Sequence, residues 1–153
     1  MNTSKKQNDN SGEKIIVSNR KARFNYHILE TLEAGLVLTG AEIKSIRLGK
    51  MSIEEGYIRP FNDGMYLLQA HIEPYVHSGE LNYDPVRPRK LLLHKHEIDQ
   101  LRGRVEQKGL TIVPLNVHLK KGKAKLEIGL AKGKDAPDKR QSIKEREVKR
   151  ELQ

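Results

Sequence analysis

Two alternating runs around Lys120-Lys121-Gly122-Lys123 constrain this chain more than any other feature. Thr111, Val113, Leu115, Val117 and Leu119 take every second position before the turn, and Ala124, Leu126, Ile128 and Leu130 do so after it. A period of two sets one row of side chains on one face of a pleated strand, and the Lys/Gly-rich turn folds the two runs into an antiparallel hairpin. Such a hairpin cannot shield its apolar rows alone, so further strands or helices must cover it. Pro114 lacks an N–H and predicts an edge or a bulge within the first run.

The rest of the chain supplies those partners. Lys14-Ile15-Ile16-Val17 reads as a short strand, Ser18 and Asn19 as helix caps, and Ala22, Tyr26 and Leu29 recur at helical spacing. Leu32, Ala34, Leu36 and Leu38 then alternate with Thr31, Glu33, Gly35 and Val37, which predicts a strand with one buried face. Thr39 and Glu42 form a capping box for a short helix through Ile43 and Ile46 that stops at Gly49. Tyr57 to Phe61 and Met65 to Ile72 flank Asn62-Asp63-Gly64 as a second hairpin. Pro74, Gly79, Asn82, Asp84-Pro85 and Pro88 mark residues 73–88 as a mobile loop, with Arg87, Arg89 and Lys90 at its exit. A third helix from His94 to Lys108 turns Ile98, Leu101 and Val105 inward, is weakened by Gly103, and ends at Gly109. Five or six strands joined partly by hairpins and broken by three helices predict a mainly β protein: an OB-fold-like closed barrel of about six antiparallel strands with three peripheral helices. No internal repeat is present.

With 153 residues and 36% hydrophobic content, one core is expected, over residues 14–131. Residues 1–13 are polar and expected to be disordered. From Lys132 on, eight basic side chains are interleaved with five acidic ones, and Ala136, Ile143, Val148 and Leu152 offer too little apolar carbon to offset the entropy of ordering. Residues 132–153 therefore read as a basic tail that is disordered in isolation and folds on a partner, with helical composition from Ser142 to Leu152. A net charge of +9 and a pI near 9.7 make that partner a polyphosphate, RNA or DNA. Aromatic residues are 5% with no Trp, so phosphate and shape contacts must carry most of the affinity. The absence of Cys excludes disulfides, zinc ribbons, iron–sulfur clusters and a thiol nucleophile. No secretory h-region and no apolar run near the ~18 residues of a spanning helix predict a soluble, cytoplasmic protein that engages no membrane.

Candidate contacts follow from the charges. Asn19, Arg20 and Lys21, with Arg23, gather at the first helix start, where free N–H groups and the helix dipole favour anions; a solvated helix face is the plain alternative. Lys44 and Arg47 share one side of the second helix and, with Lys90 and Lys125, would complete a basic surface. Glu33 stands on the outward phase of its strand beside Ala34-Gly35, as an acceptor for a base or ribose hydroxyl or as an ordinary exposed glutamate. In the tail, Lys132, Gly133, Lys134, Asp138, Lys139, Arg140, Lys144 and Arg146 make the dense charge steps. His71, His77, His94, His96 and His118 lack paired ligand spacing, so no metal and no cofactor is expected. No phosphate loop, nucleophile elbow or carboxylate pair with a partner base points to catalysis. These residues by themselves support a cytoplasmic OB-type nucleic-acid-binding module, such as a general OB-type RNA-binding module of the translation apparatus, against a small nuclease using the histidines.

Asn19-Arg20-Lys21-Ala22, Glu33-Ala34-Gly35-Leu36, Gly40-Ala41-Glu42-Ile43-Lys44-Ser45-Ile46-Arg47, the segment from Asp84-Pro85-Val86-Arg87 through Pro88-Arg89-Lys90-Leu91-Leu92-Leu93, and Ala131-Lys132-Gly133-Lys134 with Asp138-Lys139-Arg140 resemble the bacterial small protein B family, the SsrA-binding (tmRNA-binding) proteins. The resemblance runs from about Lys14 to Glu147. It implies an OB-fold that binds the tRNA-like domain of transfer-messenger RNA and accompanies the alanyl-charged form, with elongation factor Tu, to stalled ribosomes. By the same resemblance Glu33, Leu92 and Lys125 contact that RNA. It further implies that the tail, whose functional motif Lys132, Gly133, Lys134, Asp138, Lys139 and Arg140 match, enters the empty messenger channel and folds as a helix against ribosomal RNA. Pro137 stands where some members carry His.

Overall fold

The computed structural model of the protein describes residues 13–79 and 82–134. The expectations for the N-terminal dozen residues and for Asp138, Lys139, Arg140, Lys144 and Arg146 lie outside the described residues. Within them the chain runs β1 (Glu13–Ser18), α1 (Arg20–Asn25), β2 (Tyr26–Leu36), α2 (Gly40–Arg47), β3 (Met51–Ser52), β4 (Tyr57–Phe61), β5 (Gly64–Leu68), β6 (His71–Ile72), β7 (Arg89–Leu92), α3 (Lys95–Lys108), β8 (Thr111–Lys120) and β9 (Lys123–Gly133).

The fold is mainly β and antiparallel, with three helices among the described residues. β8 pairs with β4, β4 with β5, β5 with β7, β7 with β2, β2 with β9, and β9 again with β8, so the hydrogen-bonded pairing returns to the strand where it began. β1 adds to β8, and β3 and β6 form a separate two-stranded sheet. Side chains from all six strands of the circuit meet in one core: Ile58, Met65, Leu67, Leu91, Ile112, Val117, Leu126 and Ile128, with Ala34 of β2. Ile46 of α2 and Leu101 of α3 join it, which is how these two short amphipathic helices are held.

Several local expectations hold and others change for definable reasons. The Thr39–Glu42 capping box is present in both directions, at 3.1 Å and 2.9 Å, and Gly49 follows the helix with φ +75°. Gly109, at φ +64°, ends α3. The first helix, expected to include Tyr26 and Leu29, stops at Asn25, because Tyr26 and Ile28 already pair with Gly133 and Ala131 of β9. The strand expected over Met65–Ile72 breaks at Gln69, whose φ is +59°, and His71–Ile72 pair with β3 instead. The single alternating phase expected from Thr111 to Leu119 is interrupted by a bulge between Pro114 and Asn116. With one extra residue there, Ile112 and Val117 face the main core while Val113 and Leu115 pack with Ala22, Ala131, Tyr26 and Ile28 beneath α1.

The loop expected to be mobile is pinned at both ends. Ser45 Oγ donates to the Glu73 carbonyl at 2.8 Å and Glu73 N–H to the Lys50 carbonyl at 3.0 Å. At its exit Arg87 and Arg89 converge on the buried Glu42 carboxylate.

Candidate nucleic-acid interface

Strand register builds the site. Gly35 of β2 lies between Leu92 of β7 and Lys125 of β9, and Lys125 is opposite His118 of β8. In the adjacent row Glu33 faces Glu127, and Glu127 faces Asn116. Residues two apart on a strand share a face, so these rows stand on one side of the sheet. α1 covers that side over Val113 and Ala131 but leaves these rows uncovered.

Glu33, Leu92 and Lys125 line one open cleft of about 380 Å³ together with Gly35, Leu93, His94 and Glu97. Leu92 is 57% exposed, an apolar side chain turned outward from a strand whose neighbour Leu91 is buried. The missing side chain of Gly35 makes room for it, since a Cβ there would come within 3.1 Å of Leu92 Cβ. The cleft thus offers an apolar surface, a cation and a carboxylate within one small opening.

Glu33 is held from the far side. Its Oε2 accepts from His118 Nε2 at 2.9 Å across the intervening β9, and His118 Nδ1 lies 2.9 Å from Asn116 Oδ1. Lys120 Nζ stands 3.6 Å from the other carboxylate oxygen. The His118 hydrogen bond, with the Lys120 charge, outweighs partial burial and holds the Glu33 carboxyl below its ordinary range. Glu33 therefore stays ionised and oriented at neutral pH. Glu33, His118 and Asn116, with Glu13, Ile15 and Glu127, also line a second depression of about 270 Å³, so the Glu33–His118 bridge separates an acidic hollow from the Lys125 side.

The remaining expected contacts scatter. Asn19 is turned inward: it is 5% exposed, its Oδ1 accepts from Ala22 N–H at 3.2 Å, and its Nδ2 donates to the Pro114 carbonyl at 2.8 Å. Its backbone N–H donates to the Leu115 carbonyl at 2.8 Å, so Asn19 clamps the six-residue α1 onto the β8 bulge. Arg20 is exposed, and Lys21 pairs with Glu55 at 2.9 Å on the surface. Lys44 lies over the Tyr75 ring at 5.4 Å, and Arg47 Nη2 donates to the Gly122 carbonyl at 3.2 Å. Lys90 pairs with Tyr66 on β5, next to Gly64. Lys125 is in the cleft and Arg47 is at the β8–β9 turn, and neither Lys44, Arg47 nor Lys90 lines the cleft. At the end of β9, Lys132 and Gly133 pair with His27 and Tyr26, and Lys134 N–H donates to the Asn25 carbonyl at 2.8 Å.

Sequence reasoning missed His118 and Asn116 as parts of this site. Their signal was position: both fall on β8 in line with Glu33, but only the bulge at Leu115 brings them to that face. Among the described residues no group of three or more His, Cys, Asp or Glu is placed to hold a metal ion, and no helix is long and apolar enough to cross a membrane.

Residues 16–153 match the model of the family described as SmpB protein. The SsrA-binding protein of Trichodesmium erythraeum is 53% identical over 143 residues, 93% of this chain and 92% of the relative. That of Thermosynechococcus vestitus is 52% identical over 141 residues, 92% and 93% of the two chains. A solved chain described as "tmRNA-SmpB: a journey to the center of the bacterial ribosome" superposes with a TM-score of 0.66 at 47% identity, covering 83% of this chain and 93% of that one. On sequence and architecture together, the chain belongs to the SmpB protein family.

Proposed function

We propose that this protein is a non-enzymatic RNA-binding adaptor that grips the tRNA-like domain of tmRNA (SsrA RNA) and carries it to stalled ribosomes in the cytoplasm. The carrying observation is the convergence of Glu33, Leu92 and Lys125, from three strands, on one open cleft. Lys125 takes a phosphate, Leu92 packs against a sugar or base face, and the fixed Glu33 carboxylate accepts from a ribose hydroxyl or an exocyclic amine. Reading a ribose hydroxyl beside a base suits folded RNA, whose unstacked loops expose both.

The strand circuit is an OB-type closed barrel in this reading, with β1 and the helices outside it. Beyond Lys134 the basic segment with Asp138, Lys139, Arg140, Lys144 and Arg146 enters the empty messenger channel and the decoding centre, while elongation factor Tu accompanies the charged RNA. Lys132, Gly133 and Lys134 launch that segment from the end of β9. The relatives named for SsrA binding, and a solved neighbour described with tmRNA and the ribosome, support this assignment.

A chain cut after Lys134 separates the two parts. It should bind the tRNA-like domain as the full chain does and fail to support tagging on stalled ribosomes in a reconstituted translation system. Parallel loss of both activities would contradict the division between body and tail.

A further inference from the structure

α2 and the β8–β9 turn meet on the surface. Arg47 Nη2 donates to the Gly122 carbonyl at 3.2 Å, which ties the end of the helix to the tip of the hairpin. Lys121 and Lys123 flank that glycine and are exposed. Lys44 lies one turn before Arg47 on the same side of the helix. The Tyr75 ring, 5.4 Å from its Nζ, steadies that ammonium, and the pinning of the loop to α2 by Ser45 steadies the ring. None of Lys44, Arg47, Lys121 and Lys123 is ion-paired among the described residues, in contrast to Lys21, Lys50, Arg104 and Lys120, each of which has a carboxylate partner. Four cations at one junction, none within ion-pair distance of a carboxylate among the described residues, add to one another in raising the local potential.

The junction is also continuous with the cleft. The β8–β9 register runs without a bulge from His118–Lys125 to Lys120–Lys123, so Lys123 stands on the same face of β9 as Lys125, two residues further along. From the cleft, cations therefore continue over Lys123 and Lys121 to Arg47 and Lys44.

We propose that this junction is a second RNA-contact surface, on which Lys44, Arg47, Lys121 and Lys123 bind backbone phosphates of the same RNA that occupies the cleft. The inference rests on the function proposed above and extends its footprint beyond the cleft. It assigns the junction no base preference, since ammonium and guanidinium groups facing phosphates carry none.

The test is the salt dependence of binding to a transcript of the tRNA-like domain. The double variant Lys121→Asn/Lys123→Gln removes two cations, and Asn suits the φ of +52° at position 121. Its control, Arg59→Gln/Arg104→Gln, removes the same charge from β4 and α3. The slope of log K against log salt should become shallower by about 1.4–1.8 in the hairpin variant, as for two lost phosphate contacts, and by clearly less in the control. Equal slopes in the two variants, with Lys125→Gln still weakening binding, would overturn this surface and leave the cleft standing. Failure of the unsubstituted protein to prefer this transcript over an unstructured strand would overturn both.

Discussion

Arg89 and Glu42 form a buried ion pair in which neither side chain is exposed: Arg89 Nη2 lies 2.7 Å and Nε 3.0 Å from Glu42 Oε2. Both donors meet one carboxylate oxygen, and the contact is completed around its rim. Arg87 also donates to the Glu42 carboxylate, Thr39 N–H donates to Oε1 at 2.9 Å, and Arg89 Nη1 donates to the Ala70 carbonyl at 2.7 Å. The Tyr83 hydroxyl accepts from Arg89 at 3.0 Å and donates to the Ile72 carbonyl at 2.9 Å. One carboxylate thus joins the start of α2 to β7 and to the exit of the loop before it, and so helps set the position of Leu92 on β7.

Removing that charge should be costly, because two guanidinium groups would lose their counter-ion. Glu42→Gln is expected to lower unfolding free energy by about 3–5 kcal/mol in urea titrations. A loss under about 1 kcal/mol would show that solvent reaches the pair.

The same network sets an acid limit. Burial pushes the Glu42 carboxyl up, but the hydrogen bonds from Arg87, the Thr39 N–H and Arg89 outweigh it and bring it down to about 2. Because the folded value lies below the unfolded one, this stabilisation is complete above the ordinary glutamate range and is lost as pH falls towards 2. Thermal melts between pH 6 and pH 2.5 should show the parent losing stability more steeply than Glu42→Gln. Equal slopes would remove Glu42 from the acid response.

Asn19→Ala separates a structural from an RNA-contacting role. Loss of the cap and of the donor to the Pro114 carbonyl should cost about 2–3 kcal/mol. RNA affinity measured well below the melting transition should stay unchanged. Reduced affinity at full stability would return Asn19 to the interface.

Gly35→Val tests the shape of the cleft. A side chain at position 35 must displace Leu92 and should cost about 1–3 kcal/mol through crowding, with RNA binding weakened beyond that loss. Unchanged RNA affinity would mean that Leu92 does not contact the RNA.

What could be read before the structure were elements whose cause is local. The 120–123 turn, the Thr39–Glu42 box and the glycine stops at Gly49 and Gly109 each depend on residues within a few positions of one another. The Glu42–Arg87–Arg89 network joins residues more than forty positions apart, and nothing in periodicity marks it. Pro114 pointed to an edge or a bulge, but the bulge's consequence, a change of face for Val113 and Leu115, depends on α1 being there to receive them. Tyr26 and Leu29 fit a helix by spacing, but Tyr26, Ile28 and Glu30 pair with β9 and leave Leu29 at a register shift, a pairing that no local rule contains. In the site, charge and strand phase marked Glu33 and Lys125, whereas Leu92 and the grouping of the three came from family resemblance; His118 as the partner of Glu33 required the register of three strands.

The most direct measurement compares binding of the unsubstituted protein, Lys125→Glu and Glu33→Arg to the tRNA-like domain of tmRNA and to an unstructured RNA of equal length. The parent should prefer the folded RNA, with affinity falling steeply as salt rises, and both variants should bind it weakly while melting as the parent does. Equal parental affinity for the two RNAs, or unaltered binding by both variants, would contradict the placement of a tRNA-shaped ligand in the cleft.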